Sequence, residues 1–294
     1  MKYRTKLWTS ISAAALIAAS SAVSGMASAT ASHDGAEGAK LGKDAPGTFL
    51  MAQAGEGEGE GGEGGEGGEG GEGGEGGIDP AAAAKNPALF ISALDIIRAH
   101  YLAGAAMLDV EGGRSAAGEM FAHPISEVYV DLEPVFEKQR VRPFMDDMTN
   151  AVDLALGDAP KEEVMAAVEK VYAALDAAAK KAPKGKFDPL SIDAALMADM
   201  FDRAAKQYDA ATSPAGTDEA WIDGYGFWKV AERRAKELLP KLGSKHEDMA
   251  AEIAAAEELF SNAYRRVEKP ATPEVEPGAL LAASSRILLK TSSF

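Results

Sequence analysis

The sequence predicts an all-α fold, a helical bundle of about seven to eight helices over residues 78–294. Apolar residues recur every three or four positions through most of this range, which is the spacing of one face of an α-helix. Alanine, the best helix former, is abundant, whereas the alternating Val- and Ile-rich runs typical of β-strands do not occur. Breaks that contain Pro and Gly divide the periodic stretches into separate helices.

The first long helix is predicted to begin at Asn86-Pro87, because Asn caps helix N-termini and Pro is favoured in the first helical turn. Two glycines, at positions 112 and 113, end this helix. Its apolar face is formed by residues at helical spacing, namely Leu89, Leu94, Ile97, Tyr101 and Leu108.

Prolines and glycines also separate the helices that follow. A short helix over residues 115–122 leads to His123-Pro124, where a new helix is predicted to begin. Pro134 should kink or restart that helix, because proline removes one backbone hydrogen bond. The remaining predicted helices cover residues 143–156, 161–181, 190–211, 217–242 and 244–267, and an apolar tail follows over 280–289.

Residues 1–29 have the three parts of a secretory signal peptide. A basic start is followed by an apolar run that is too short to span a bilayer, and the segment ends in the small residues Ala27-Ser28-Ala29. The basic residues are Lys2, Arg4 and Lys6. We therefore expect a mature chain that begins near Thr30, has no transmembrane segment, and is periplasmic or secreted.

Residues 30–77 are predicted to form a disordered region that ends in a Gly-Glu linker. From position 55 to 77 the chain contains only Gly and Glu, including eight glutamates. Glycine has high backbone entropy and the glutamates repel one another, so this stretch should act as a flexible acidic spacer. The alternative is a low-affinity cation binder, although a plain repeat does not fix the geometry of a calcium site.

Charge and cysteine content exclude several classes of partner and site. The formal net charge is −16, and no basic stripe is present to neutralise phosphates, so nucleic acid is not an expected partner. The chain has no cysteine, which excludes disulfides, thiolate nucleophiles and Cys-ligated zinc. Cations are the favoured ligands, because a negatively charged surface attracts them.

His100, His123 and Glu127 are the first candidates for metal ligands. His100 lies on an apolar helix face, and Gly104 one turn later clears space beside it, either for a ligand or for a close backbone approach. His123 precedes Pro124, and Glu127 follows it by one helical turn. The alternatives are a core histidine at position 100 and a capping or ion-pairing histidine at position 123. An imidazole and a carboxylate at this spacing also suit a divalent metal ion.

Asp223 is the fourth candidate ligand, in a helix that carries two glycines and a face with three large aromatic residues. Gly224 and Gly226 each cost about 1 kcal/mol against alanine in a helix interior, so either close helix packing or a pocket that Asp223 faces should compensate. The aromatic residues share one helix face, which is a candidate surface for an envelope protein partner; they are Trp221, Tyr225 and Trp228.

The sequence motifs of several enzyme classes are missing. No histidine has a glutamate three residues before it, as a ferritin-like di-iron site requires, and His-Glu-x-x-His is absent. Neither the Gly-x-Ser-x-Gly nucleophile motif nor the Gly-x-x-x-x-Gly-Lys phosphate loop occurs. We therefore expect a non-enzymatic protein, with a hydrolase that lacks a recognisable motif as the alternative.

The segments Ala99-His100-Tyr-Leu-Ala-Gly104, Ala122-His123-Pro-Ile-Ser-Glu127-Val-Tyr129 and Asp223-Gly-Tyr-Gly-Phe227 resemble those of secreted helical proteins of proteobacteria. The layout is more distantly similar to imelysin-like periplasmic iron-uptake proteins, which have helical bundles and a Gly-x-His-x-x-Glu metal motif. This resemblance implies an iron site. The motif itself cannot be carried over, because Ala103 and Ser126 stand where the glutamate would follow each histidine.

Two functional hypotheses follow from these patterns. The first is a secreted, non-catalytic protein that binds a metal ion, with iron as the first candidate, through His100, His123, Glu127 and Asp223. The second is a cofactor-free interaction or structural module of the envelope. The first hypothesis expects the two histidines and Glu127 to converge within about 5 Å, as ligands of one ion must.

Overall fold

The computed structural model describes residues 77–292 and residue 294. In this part of the chain the fold is all-α, as predicted, with nine helices of nine residues or more and no β-strand. The predicted signal peptide and all but the last residue of the region predicted as a disordered linker lie outside the described residues. The α-helices are α1 (Pro80–Ala83), α2 (Pro87–Met107), α3 (Arg114–Pro124), α4 (Val130–Lys138), α5 (Met145–Leu156), α6 (Lys161–Ala179), α7 (Pro189–Thr212), α8 (Asp218–Leu238), α9 (Glu247–Ala263) and α10 (Pro277–Thr291). Short 3₁₀ turns cover Leu239–Lys241 and Ser244–His246.

Polar side chains cap the N-termini of the three longest helices. Asn86 accepts a hydrogen bond from the backbone N–H of Ala88 at 2.9 Å, as the Asn86-Pro87 pair predicted. Asp188 caps α7 and Thr217 caps α8 in the same way. Each such cap stabilises its helix by about 1 kcal/mol, because it satisfies a backbone donor that the helix itself leaves open.

Helix α2 is the central element of the bundle. Seventeen of its 21 residues are buried, and it packs against α3, α6, α7 and α8. By length and composition it is the one described helix that could cross a membrane, but 83 % of the residues in its apolar window are buried inside the protein. Burial of this extent is what a core helix shows.

Helices α2 and α8 approach each other closely, and two features hold them there. A Cβ atom at Gly226 would lie 2.8 Å from the carbonyl carbon of Ala99, so only glycine allows this separation. Arg234 of α8 donates two hydrogen bonds, of 2.7 and 2.8 Å, to the buried carboxylate of Asp95 in α2. The interpretation of Gly226 as a residue for close helix packing is therefore confirmed.

The chain continues as one helical run from α3 into α4, through a π-helical segment at Ile125–Tyr129. The prediction that a new helix begins at His123-Pro124 is wrong, because α3 runs on to Pro124. Proline lacks a backbone N–H, and the wider turn that follows accommodates it: the N–H of Val130 donates to the carbonyl of Ile125, five residues earlier. Pro134 lies inside α4 and does not end it.

The aromatic face predicted as a partner surface is instead part of the core. Trp221 is 1 % exposed and its ring lies 5.2 Å from that of Tyr208; Trp228 is 3 % exposed and lies 5.9 Å from Phe201. Tyr225 alone is partly exposed. The prediction of an envelope partner at Trp221, Tyr225 and Trp228 is therefore wrong, because the two indole rings are not available at the surface.

Candidate metal centre

Three of the four predicted ligands converge in the interior of the bundle. One nitrogen of His100, one nitrogen of His123 and one carboxylate oxygen of Asp223 all lie within 4.8 Å of one another. The fourth predicted ligand, Glu127, is adjacent, with Oε2 at 3.8 Å from His100 Nε2. The structure thus brings together side chains from α2, α3, α8 and the π-helical segment.

His100 is held in a fixed orientation by its own helix. Its Nδ1 lies 2.9 Å from the carbonyl oxygen of Ile96, so Nδ1 carries the proton and donates it to that oxygen. The Nε2 lone pair then faces the carboxylates, 3.6 Å from Asp223 Oδ1 and 3.8 Å from Glu127 Oε2. A histidine that binds a metal ion through one ring nitrogen usually donates a hydrogen bond from the other, and that hydrogen bond fixes the tautomer.

Burial keeps the imidazole of His100 neutral at neutral pH. The side chain is 1 % exposed, and loss of hydration lowers its pKa from 6.5 to about 4. The neighbouring His123 and Arg203 act in the same direction, since positive charge disfavours a second cation, whereas the hydrogen bond to Ile96 opposes them. A neutral imidazole is the form that binds a metal ion.

Asp223 is a buried carboxylate, 3 % exposed, on the face of α8 that packs against α2. It reaches His100 because Gly226, one turn further along α8, lets the two helix backbones approach. Of the two alternatives that the sequence left open for this segment, the structure shows close helix packing at Gly226, and the buried Asp223 carboxylate faces His100.

Glu127 occupies the π-helical segment, which directs its carboxylate toward the centre while Val128 and Tyr129 enter the core. Its side chain is 30 % exposed, but the Oε2 atom is buried and accepts no hydrogen bond among the described residues. Burial raises the pKa of this carboxyl above its usual 4.5, and the positive charge of His123 opposes the shift. π-helical turns occur frequently at functional sites.

The sequence did not identify Glu219, which lies on the outer side of the centre. Its Oε1 is 3.5 Å from Nε2 of His123, and the two side chains are 60 % and 25 % exposed. Glu219 precedes Asp223 by four residues, so both carboxylates lie on one face of α8. That spacing was visible in the sequence, but nothing in it linked α8 to the helix of His123.

Gly104 has a different role from the one predicted. A Cβ atom there would lie 2.5 Å from the ring of Phe121, so the space beside Gly104 is filled by this side chain. The Phe121 ring in turn stacks on Tyr101, with centroids 4.9 Å apart. The interpretation of Gly104 as space for a ligand of His100 is therefore wrong, whereas the alternative of a close backbone approach agrees with the Ala117 carbonyl oxygen, 3.0 Å from that Cβ position.

The convergent atoms lie farther apart than the ligands of one bound metal ion. Two atoms that each lie about 2.1 Å from an ion are about 3.0–3.4 Å apart in octahedral and tetrahedral geometry. The separations of 3.6 and 3.8 Å around His100 Nε2 exceed these values slightly, and the group that includes His123 lies within 4.8 Å, so the side chains would move inward around an ion. Imidazole nitrogens and carboxylate oxygens form a donor set that suits iron, zinc and other first-row divalent ions.

No protein-family model, no curated protein and no solved structure matches this chain. The resemblance to imelysin-like iron-uptake proteins thus stays a prediction, and the geometry of the site itself carries the functional argument.

Proposed function

We propose that this protein binds a divalent transition-metal ion, with iron as the first candidate, through His100, His123, Asp223 and Glu127. The observation that supports this proposal is the convergence of one nitrogen from each histidine and one Asp223 oxygen within 4.8 Å, at a mostly buried position. Four helical segments contribute to this cluster, so the fold as a whole determines it.

The tautomer of His100 suits a metal ligand. Because Nδ1–H is donated to the carbonyl oxygen of Ile96, the neutral ring presents the Nε2 lone pair on the side of Asp223 and Glu127. An imidazole nitrogen and two carboxylates that face the same point form a donor set for a divalent metal ion.

A binding role fits this site better than a catalytic one. His100 and Asp223 are 1 % and 3 % exposed, so the protein would enclose an ion on that side. The choice of iron rests on the resemblance to iron-uptake proteins, since nitrogen and oxygen donors suit several divalent metals. The cofactor-free alternative loses the partner surface that the sequence offered for it, because Trp221 and Trp228 are buried.

The N-terminal sequence supports a location outside the cytoplasm. We propose that the protein acts in the periplasm or as a secreted protein, because residues 1–29 combine a basic start, a short apolar run and a small-residue cleavage site. Both parts of the proposal can be tested on one sample. Protein expressed from the full-length sequence and recovered from the periplasm without a His tag should have an N-terminus near Thr30 by mass spectrometry and should contain metal by elemental analysis.

Variants then test the site. Addition of Fe²⁺ without oxygen, or of Zn²⁺, should raise the melting temperature of the metal-free protein, because a ligand of the folded state stabilises it by about 2.7 kcal/mol at 100 times its Kd. His100→Ala, His123→Ala and Asp223→Asn should each weaken binding at least about 100-fold, as loss of a ligand exceeds the effect of an outer residue. Asp223→Asn keeps the side-chain shape, so it tests the ligand separately from folding.

His246→Ala is the matched control, because His246 stacks on Phe294 and lies outside the cluster. This variant should bind metal as the wild type does. A folded His100→Ala or Asp223→Asn protein with unchanged metal affinity would contradict the proposed site.

A further inference from the structure

A surface pocket of about 290 Å³ opens beside the candidate metal centre. Its walls are formed by the chain at Gly77–Asp79 and by the π-helical segment and the start of α4. Three of the residues that line it are acidic, namely Asp79, Glu127 and Asp131, and none is basic. A cleft lined by one sign of charge concentrates ions of the opposite sign, so this pocket attracts cations.

Glu127 belongs to both the pocket and the centre. The residue lines the pocket, with a side chain that is 30 % exposed, while its Oε2 atom is buried and lies 3.8 Å from His100 Nε2. It therefore stands between solvent and the two most deeply buried candidate ligands, His100 and Asp223. A buried carboxylate oxygen that accepts no hydrogen bond among the described residues is directed at a place where a cation would satisfy it.

The backbone at Glu127 suits a residue that changes partners. In the π-helical segment the regular hydrogen bonds between residues four apart are interrupted, and the side chains before and after Glu127 face different surroundings. Ser126 is exposed and Val128 is buried. Glu127 thus lies at the boundary between surface and core, within reach of both.

We propose that the metal ion enters through this pocket and that Glu127 binds it first, then passes it to His100 and Asp223. The ion exchanges water ligands for protein ligands one at a time along this path, so it is never fully stripped of ligands in the interior. Asp131 attracts the ion to the pocket without binding it in the final site. This inference rests on the proposed metal-binding function.

The test compares rates of metal uptake. Association and dissociation of Co²⁺ are followed by its visible absorption in a stopped-flow instrument, with the full-length metal-free protein at low ionic strength. Asp131→Asn should slow association about threefold and Asp131→Lys about tenfold, with dissociation nearly unchanged, because the charge acts on the approach of the ion. The difference should shrink in high salt, since exposed charges are screened there.

Glu133→Gln is the matched control. Glu133 is exposed on the same helix, two residues from Asp131, and does not line the pocket. Its substitution by glutamine therefore removes the same charge at a position outside the pocket. It should change the association rate by much less than Asp131→Asn does. Glu127→Gln should slow association and also weaken the equilibrium affinity, because Glu127 acts on the path and in the site.

The outcomes separate the two proposals. If Co²⁺ binds the wild type and binding is lost in Asp223→Asn, but Asp131→Asn and Glu133→Gln have equal association rates, the route is overturned and the metal site stands. If the wild type does not bind Co²⁺, Fe²⁺ or Zn²⁺, both the proposed function and the route are overturned.

Discussion

The environment of His100 determines how the stability of the metal-free protein depends on pH. Asp223, Glu127, His123 and Arg203 all face this ring, and burial lowers its pKa to about 4, against 6.5 in the unfolded chain. Between pH 6.5 and pH 4, His100 is protonated in the unfolded chain but neutral in the folded protein. His100 therefore hardly affects the free energy of unfolding at pH 7, and it lowers this free energy increasingly as the pH falls from 6.5 toward 4.

We expect protonation of His100 in the unfolded chain to lower the free energy of unfolding by about 2 kcal/mol between pH 7 and pH 5, since each pKa unit is worth about 1.4 kcal/mol. The raised pKa of Glu127 acts in the opposite direction, because the folded state takes up that proton first as the pH falls. Urea denaturation with a chelator present measures the change. His100→Asn keeps a donor near Ile96 but does not titrate, so its stability should depend less on pH by that amount.

Parallel pH profiles of the wild type and His100→Asn would show that the ring is not buried in neutral form. The comparison of the two proteins removes the contribution of every other titrating group, because both contain them.

Individual residues of the site could be predicted to different degrees. His100, His123 and Asp223 were identified because histidines are rare in this chain and because helix glycines marked the segment of Asp223. Gly104 was misread, since a glycine beside an apolar face indicates close contact without saying which side chain makes it. Glu219 was missed because its partner, His123, lies 96 positions earlier in the sequence.

The pair of helices α2 and α8 determines the geometry of the centre, since one carries His100 and the other Asp223. Gly226 faces the backbone of Ala99, the residue next to His100. Gly226→Ala should force the helices apart. We expect it to destabilise the protein by about 1–3 kcal/mol, as overpacked cores show, despite the better helix propensity of alanine. Metal affinity should fall about tenfold, because the ligands separate with the helices.

Gly224→Ala provides the matched comparison on the same helix. A Cβ atom at Gly224 would overlap the hydroxyl of Tyr264, and its next neighbour is the Cβ atom of Gln207 in α7, whereas a Cβ atom at Gly226 would meet the backbone of α2. This variant should lose stability with little change in metal affinity. Calorimetric unfolding and metal titration of both variants test the idea; equal effects of the two substitutions on affinity would contradict it.

The π-helical segment shows where sequence patterns fail at the scale of an element. A proline usually indicates the start, the end or a kink of a helix, so the sequence predicts a helix start at His123-Pro124 and a kink or restart at Pro134. In the structure the helical run passes through both prolines, and it widens to a π-helical turn at Ile125–Tyr129, directly after Pro124. The π-helical turn determines the position of Glu127. A hydrophobic period of 3.6 residues predicts a regular α-helix and therefore does not predict this turn.

At the scale of the whole molecule, the fold class could be predicted from the sequence, but the packing arrangement of the helices could not. Helical spacing, caps and breaks are local signals, so the all-α architecture followed from them. The order in which helices pack depends on contacts between distant segments, such as Asp95 with Arg234. The burial of Trp221 and Trp228 follows from the same contacts, since an aromatic stripe on one helix is consistent with either a core or a surface.

The Gly-Glu stretch allows a last prediction for the intact chain. Residues 55–76 contain only glycine and glutamate, so they have no apolar side chain to bury against the bundle. Deletion of these residues should change the melting temperature by less than about 2 °C, because apolar burial supplies most of the stability of a domain.

A variant in which the eight glutamates are replaced by glutamine separates the effect of charge from the effect of chain length. Thermal unfolding at low and high salt measures both variants. A loss of several degrees in the deletion but not in the glutamine variant would show that the backbone of this stretch contacts the bundle. A loss in both variants that disappears in high salt would show that its carboxylates interact with it.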